Sequence, residues 1–238
     1  MQTFALFTIT AAAFTFALYV RRFTWRNDWE KAITLSVLLQ FIALILTSPY
    51  TTEYLGNPIG DATGIYGLDA VIGHDLYLVA ASSVLYHILY SLYDDEGLQR
   101  RFRAYVELPA TVALPLLLVT YARSETAKRP IEDMFAAQDE SLQPYWIVLT
   151  VVVGYLLMFS AWHFAIAWRD ETYRWECTGY LLASLAGASA CVLRLMGNRW
   201  DVAALPVWIA IAVCGVLFAG TAGWQWKRSF ARPEPVGV

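Results

Sequence analysis

Asp69–Tyr93, DAVIGHDLYLVAASSVLYHILYSLY, is the stretch whose reading decides the fold. At ~1.5 Å per residue, a helix of this length exceeds the ~30 Å hydrocarbon core of a bilayer. Yet it keeps Asp75 and two of the three histidines, His74 and His87. An ionised side chain near the bilayer centre costs at least ~2.5–3.5 kcal/mol. Ionisable groups retained inside such a run are therefore candidates for function.

Working outward, the whole chain fits this class. It is 58% hydrophobic and 16% charged, against about 25% charged for a soluble domain. Apolar runs predict seven spans, at about 4–20, 32–48, 69–93, 104–122, 145–168, 175–196 and 203–226. The fold class is an all-α bundle of seven transmembrane helices in one domain, residues 1–226, with a short cytoplasmic tail, 227–238. The first run is expected as a retained helix and not a signal peptide, because Arg21 and Arg22 follow its apolar core instead of preceding it.

Twelve of the 17 Lys and Arg residues fall on one side of the predicted spans. They are Arg21, Arg22, Arg26 and Lys31; Arg100, Arg101 and Arg103; Arg169 and Arg174; and Lys227, Arg228 and Arg232. The other side holds Arg123, Lys128, Arg129, Arg194 and Arg199. Positive loops stay in the cytoplasm, which predicts the N-terminus outside, the C-terminus inside and a multi-pass location in the cell membrane. Trp25, Trp29, Trp168, Trp175, Trp224 and Trp226 lie at inner ends, and Tyr121, Tyr145, Trp146 and Trp200 at outer ends, as an interfacial belt. The outer stretch 49–68 is expected as surface turns and 123–144 as a loop with a short interfacial helix near Ile131–Ala137. The tail is expected to be disordered.

Small residues recur every four positions: Gly179, Ala183, Gly187 and Cys191, then Gly215, Ala219 and Gly223. This spacing lets membrane helices approach closely within one bundle. Pro109 and Pro115 predict a kinked fourth span. Cys177, Cys191 and Cys214 lie in apolar runs without metal-ligand spacing and read as small core residues.

The intramembrane ionisable groups sort by depth. His74, Asp75 and Arg194 form an outer layer in which an Asp75–Arg194 ion pair is expected. His87, His163 and Glu107 form an inner layer; Ser83 and Tyr90 share a strip with His87, and Ser160 shares one with His163. The inner set is open to three arrangements: one metal ion on two histidines and a carboxylate, one b-type haem between two axial histidines, or bonding to neighbouring helices. His74 and His87 are 13 residues apart, so at ~100° per residue they lie on different faces of their helix.

Several classes are excluded. No lysine lies within the last span to hold retinal, and no span carries repeated arginines as a voltage sensor does. Three histidines cannot ligate a transmembrane chain of b-type haems. No nucleotide-binding, hydrolase or zinc-protease motif occurs. A net charge of −3 without a basic stripe gives no case for nucleic acid.

The run Tyr66–Leu92, YGLDAVIGHDLYLVAASSVLYHILYSL, with seven spans and an outside N-terminus, resembles the membrane part of actinobacterial integral membrane proteins labelled putative transporters, which also occur in phages. Members of that group carry a sizeable cytosolic C-terminal region, whereas this chain stops soon after the seventh span. The resemblance implies a sensor or transport-like protein working with separate regulators, or a phage factor acting on the host envelope.

The leading expectation is a membrane binding protein (sensor, accessory factor or small-solute carrier) with a polar site among spans 3–6. Its partners are the lipid bilayer and other membrane or envelope proteins. Two alternatives stay open: an intramembrane metal- or haem-binding enzyme or redox protein, and an envelope interaction protein acting through its outer loops.

Overall fold

The computed structural model describes residues 2–131, 133–137, 139–200 and 204–231. Among them there is no strand. The long helices are α1 (Gln2–Val20), α2 (Asp28–Leu46), α3 (Pro49–Thr63), α4 (Leu68–Leu92), α5 (Asp95–Ala122), α6 (Gln143–Ala167), α7 (Arg174–Trp200) and α8 (Ala204–Ala231). Six helices are long and apolar enough to cross a membrane, and seven if the bent pair α2–α3 is one span. The last helix runs past the expected start of the tail at 227. The tail beyond Ala231, with Arg232, lies outside the described residues, as do the side chains of Trp29, Arg199, Trp200, Lys227 and Arg228.

The surface is apolar and the interior carries charge. Phe16 and Trp162 are 65% and 67% exposed, whereas Arg21 and Glu30 are 0% exposed. Apolar surface on this scale is a liability in water and ordinary in lipid.

Six helices close a ring. Each of α1, α2, α4, α6, α7 and α8 packs on the next, and α8 returns to α1. α5 stands outside the ring, against α4 and α6. Small residues set the seams. A side chain at Gly73 would meet Thr47 and the Ala43 carbonyl of α2; one at Gly215 would meet Thr10 and Phe14 of α1. Gly179 abuts Thr221, and Gly187 abuts Leu157 and Cys214. The four-residue spacing thus serves contacts within this chain. Ser36 adds a hydrogen bond across a seam, donating to the Ala80 carbonyl at 3.0 Å.

The α1–α8 seam carries a device that the loop assignment of Arg21 overlooks. Arg21 is fully enclosed. It pairs with Glu30, and donates to Thr34 Oγ1 at 3.1 Å and to the Ala222 carbonyl at 2.8 Å. One guanidinium, with five donors in a fixed fork, joins α1, α2 and α8.

Proline chemistry shapes two helices. Pro109 has no N–H for the carbonyl of Tyr105, four residues back. The helix opens there into a π turn, Arg103–Glu107, and Tyr155 Oη of α6 donates to the Tyr105 carbonyl at 3.0 Å. The stretch expected as surface turns is instead the helix α3, bent 57° from α2. Ser48 caps it by accepting from the Thr51 amide at 3.3 Å, and Pro49 supplies the first-turn φ. Its wall faces Asp69, to which Thr52 Oγ1 donates at 3.0 Å.

Among the described residues, the stretch 123–142 holds the 3-10 turns Thr126–Lys128 and Glu140–Leu142 and a turn at 134–136, and no α-helix near 131–137. Ile131, Met134 and Phe135 are buried. The loop therefore dips onto the ring and caps one end of it.

Candidate functional site

The ring encloses a cavity of about 140 Å³. An engineered apolar cavity of about 150 Å³ binds benzene. Each of the six ring helices contributes to the wall, and Phe135 of the capping loop joins them; α5 contributes nothing. The fourth span, expected to share the site, does not line this cavity. Its Glu107 sits on the π turn and is exposed.

α6 shows how the wall arises. Trp146, Leu149, Thr150, Val153, Leu157 and Ser160 all line the cavity. Their three- and four-residue steps define one helical face. On the other helices the space comes from small side chains, among them Ala81, Ala183, Gly187, Ala190 and Gly215.

The end of the cavity under the capping loop is a buried cluster. His74 is 3% exposed, and its Nδ1 lies 2.6 Å from Tyr145 Oη. The ring meets Phe135 and Trp146 edge-on, with centroids 5.5 and 5.4 Å away. The Arg194 guanidinium lies 4.1 Å from the Trp146 ring centroid, a cation–π contact worth ~2 kcal/mol where water is excluded. Arg194 also donates to the Ala137 carbonyl of the capping loop at 3.3 Å.

The tautomer of His74 follows from its partner. A buried hydroxyl proton needs an acceptor. Among the described residues, the only recorded hydrogen-bond partner of Tyr145 Oη is His74 Nδ1. Tyr145 therefore donates and the imidazole proton sits on Nε2. His74 lines the cavity and Tyr145 does not, so the Nε2–H edge is the one turned inward. That Nε2 has no protein partner among the described residues. The same holds for Trp146 Nε1 and Ser160 Oγ, whose residues are 1% and 2% exposed.

The capping loop is held by two aspartates. Asp133 accepts from Trp208 Nε1 at 3.3 Å and from the Phe135 amide at 2.8 Å. Burial pushes its carboxyl above the ordinary carboxylate range, while those bonds and Arg194 act the other way. Asp139 closes the base of the loop. It accepts from the amide and hydroxyl of Thr126 at 2.9 and 2.7 Å, and from the same groups of Ser141 at 2.9 and 2.7 Å. Burial alone would raise the Asp139 carboxyl, but these four bonds bring it down to about 2.

The sequence-derived layers are partly brought together. His74 and Arg194 share the capped end of the cavity, but Asp75 forms no ion pair with Arg194 among the described residues. Asp75 is half-buried one helical step round from the cavity face, and its Oδ1 has no hydrogen-bond partner among the described residues. Depth alone could not reveal this, because His74 and Asp75 are ~100° apart on one helix.

Among the described residues no three His, Cys, Asp or Glu side chains could hold a metal ion. His87 and His163 are buried, but neither lines the cavity. His163 Nδ1 donates to the Phe159 carbonyl of its own helix at 2.8 Å, and its ring packs on Phe159 and Tyr93. Ser83 donates to the Val79 carbonyl at 3.0 Å. Ser160, expected beside His163, faces the cavity instead. Two of the expected belt residues, Tyr145 and Trp146, are buried in the cluster. Trp146 could have been found by its place on the Thr150–Val153–Ser160 face.

No family model, curated protein or solved structure matches the chain.

Proposed function

We propose that this is a multi-pass protein of the cell membrane that binds a small molecule inside its helix bundle, as a sensor, accessory factor or carrier. Seven spans, an outside N-terminus and a cytoplasmic C-terminus fit the distribution of Lys and Arg. The resemblance of Tyr66–Leu92 to putative transporters agrees with this class. One observation carries the reading: three deeply buried polar groups, His74 Nε2–H, Trp146 Nε1–H and Ser160 Oγ, border the cavity without a protein partner among the described residues. Leaving such a group unsatisfied costs ~1–3 kcal/mol, a cost that a ligand repays. Chambers of this kind, mostly apolar with a few convergent polar atoms, are typical of ligand sites between helices.

Two native thiols test the reading, because Cys191 and Cys214 line the cavity and Cys177 does not. In the purified protein, toluene should slow the reaction of Cys191 and Cys214 with N-ethylmaleimide and leave Cys177 unchanged. Cavity filling by Ala81→Leu should slow the same two thiols without toluene. Identical rates under all these conditions would remove the basis for a binding chamber. A tag inserted after Arg129 should be reachable from outside intact cells; reach only after lysis would reverse the proposed orientation.

A further inference from the structure

Two hydrogen-bond donors stand together at the capped end of the cavity. His74 presents Nε2–H and Trp146 presents Nε1–H, and neither nitrogen has a partner among the described residues. Their ring centroids lie 5.4 Å apart. An oxygen ~2.9 Å from each of two nitrogens bridges a gap of up to ~5.8 Å. The spacing thus suits a single acceptor atom.

Charge is already balanced there. Arg194 interacts with Asp133 and donates to the Ala137 carbonyl at 3.3 Å. The imidazole that accepts from Tyr145 is neutral. This end therefore asks a ligand for lone pairs and not for charge. A carbonyl oxygen supplies two lone pairs and brings no proton. A hydroxyl supplies lone pairs too, but its own proton then needs an acceptor that neither donor offers. A hydrocarbon leaves both donors unpaired.

Volume sets the size. At about 140 Å³ the cavity is close to the ~150 Å³ that takes benzene. The wall beside the donors is apolar: Phe135 packs on His74 and on Trp146, with centroids 5.5 and 5.6 Å away. A compact apolar body of about six heavy atoms matches this space.

We propose that the cavity binds a neutral carbonyl compound about the size of benzene, a small ketone or aldehyde, its oxygen between His74 Nε2–H and Trp146 Nε1–H. The inference rests on the reading of the cavity as a binding chamber and adds the chemical class of its ligand.

The test uses the full chain in nanodiscs of zwitterionic lipid. Cyclopentanone, cyclopentanol and methylenecyclopentane share one ring and one exocyclic heavy atom, and differ in what that atom offers. Cyclododecanone tests size. Protection of Cys191 and Cys214 from N-ethylmaleimide, with Cys177 as reference, reads occupancy at equal probe concentrations in the lipid. Infrared absorption of ¹³C-labelled cyclopentanone reads the bonds to its oxygen. Cyclopentanone should protect at a concentration at least tenfold below that of methylenecyclopentane, with cyclopentanol between them and cyclododecanone inactive. Its bound carbonyl band should lie at lower frequency than its band in lipid alone. Trp146→Phe keeps an aromatic ring and removes one donor. It should weaken cyclopentanone several-fold, spare methylenecyclopentane and move the band part of the way back. Should that variant fail to fold, the wild-type band decides: a band at its lipid position overturns the proposal. Equal protection by cyclopentanone and methylenecyclopentane, or better protection by cyclopentanol, overturns the carbonyl class and leaves the chamber standing. Protection by toluene and by none of the four probes does the same and assigns the two donors to water. Protection by cyclododecanone overturns the size limit. Protection by no compound, toluene included, overturns both readings. An unchanged preference and band in Trp146→Phe places the oxygen elsewhere and overturns the proposal.

Discussion

Tyr145 decides which nitrogen of His74 faces the cavity. Its hydroxyl lies 2.6 Å from Nδ1, so the ring proton is driven to Nε2. Tyr145→Phe removes that donor and leaves Nδ1 buried without one. The imidazole then moves its proton to the other nitrogen or stays unsatisfied. We expect a stability loss of ~1–3 kcal/mol and a change of tautomer visible in the ¹⁵N shifts of His74. Unchanged shifts would refute the assignment of the donor.

Arg21 and Glu30 form a fully enclosed pair. Breaking one partner of such a pair leaves a buried charge behind, at a cost of ~3–5 kcal/mol. Glu30→Gln should therefore destabilise far more than Arg100→Ala, which touches only an exposed pair with Glu96. Thermal unfolding in detergent compares the two; equal shifts would show that the buried pair carries no special weight.

Tyr155 stands in for the donor that Pro109 lacks. Tyr155→Phe should cost ~0.6 kcal/mol, the average for a hydrogen bond between membrane helices. The loss should vanish in a Pro109→Ala background, where the backbone N–H can serve the Tyr105 carbonyl. A double-mutant cycle measures this coupling, and strict additivity would count against it.

Asp139 gives the capping loop a pH dependence. Its carboxyl is lowered to about 2 in the folded protein, below the ordinary value of ~3.9. The folded state therefore binds fewer protons than the unfolded one between these values. The contribution of Asp139 is present in full above pH ~4 and is lost as the pH falls through about 2. Hydrogen exchange at the Thr126 and Ser141 amides should quicken in that window. Asp139→Asn should show faster exchange at neutral pH and a flatter profile. A profile identical to wild type would assign the protection to other contacts.

Depth is legible in the sequence and direction is not. Counting along apolar runs places His74 and Arg194 at one level, and the structure brings them to one cluster. The same count puts Asp75 beside Arg194, but a single step round the helix takes it off the cavity face. Trp146 at a span end has the signature of an interfacial residue; only the packing of α6 against its neighbours buries it. Arg21 counts as a loop cation until α2 and α8 close over it. Glu107 stays off the cavity wall, because it sits on the π turn of α5 and α5 stands outside the ring. In each case the deciding quantity is which neighbour a helix face meets, and that depends on residues far away in the chain.

The ring has a consequence for the making of the protein. Its last seam joins α8 to α1, and the Arg21–Ala222 hydrogen bond spans 201 positions of the chain. During synthesis, His74 and Trp146 are therefore in place well before the wall that shields them is complete. Until α8 arrives, the donors at the heart of the bundle face whatever the half-built helices float in. The assembling protein is thus most exposed in the interval before the clasp at Arg21 closes.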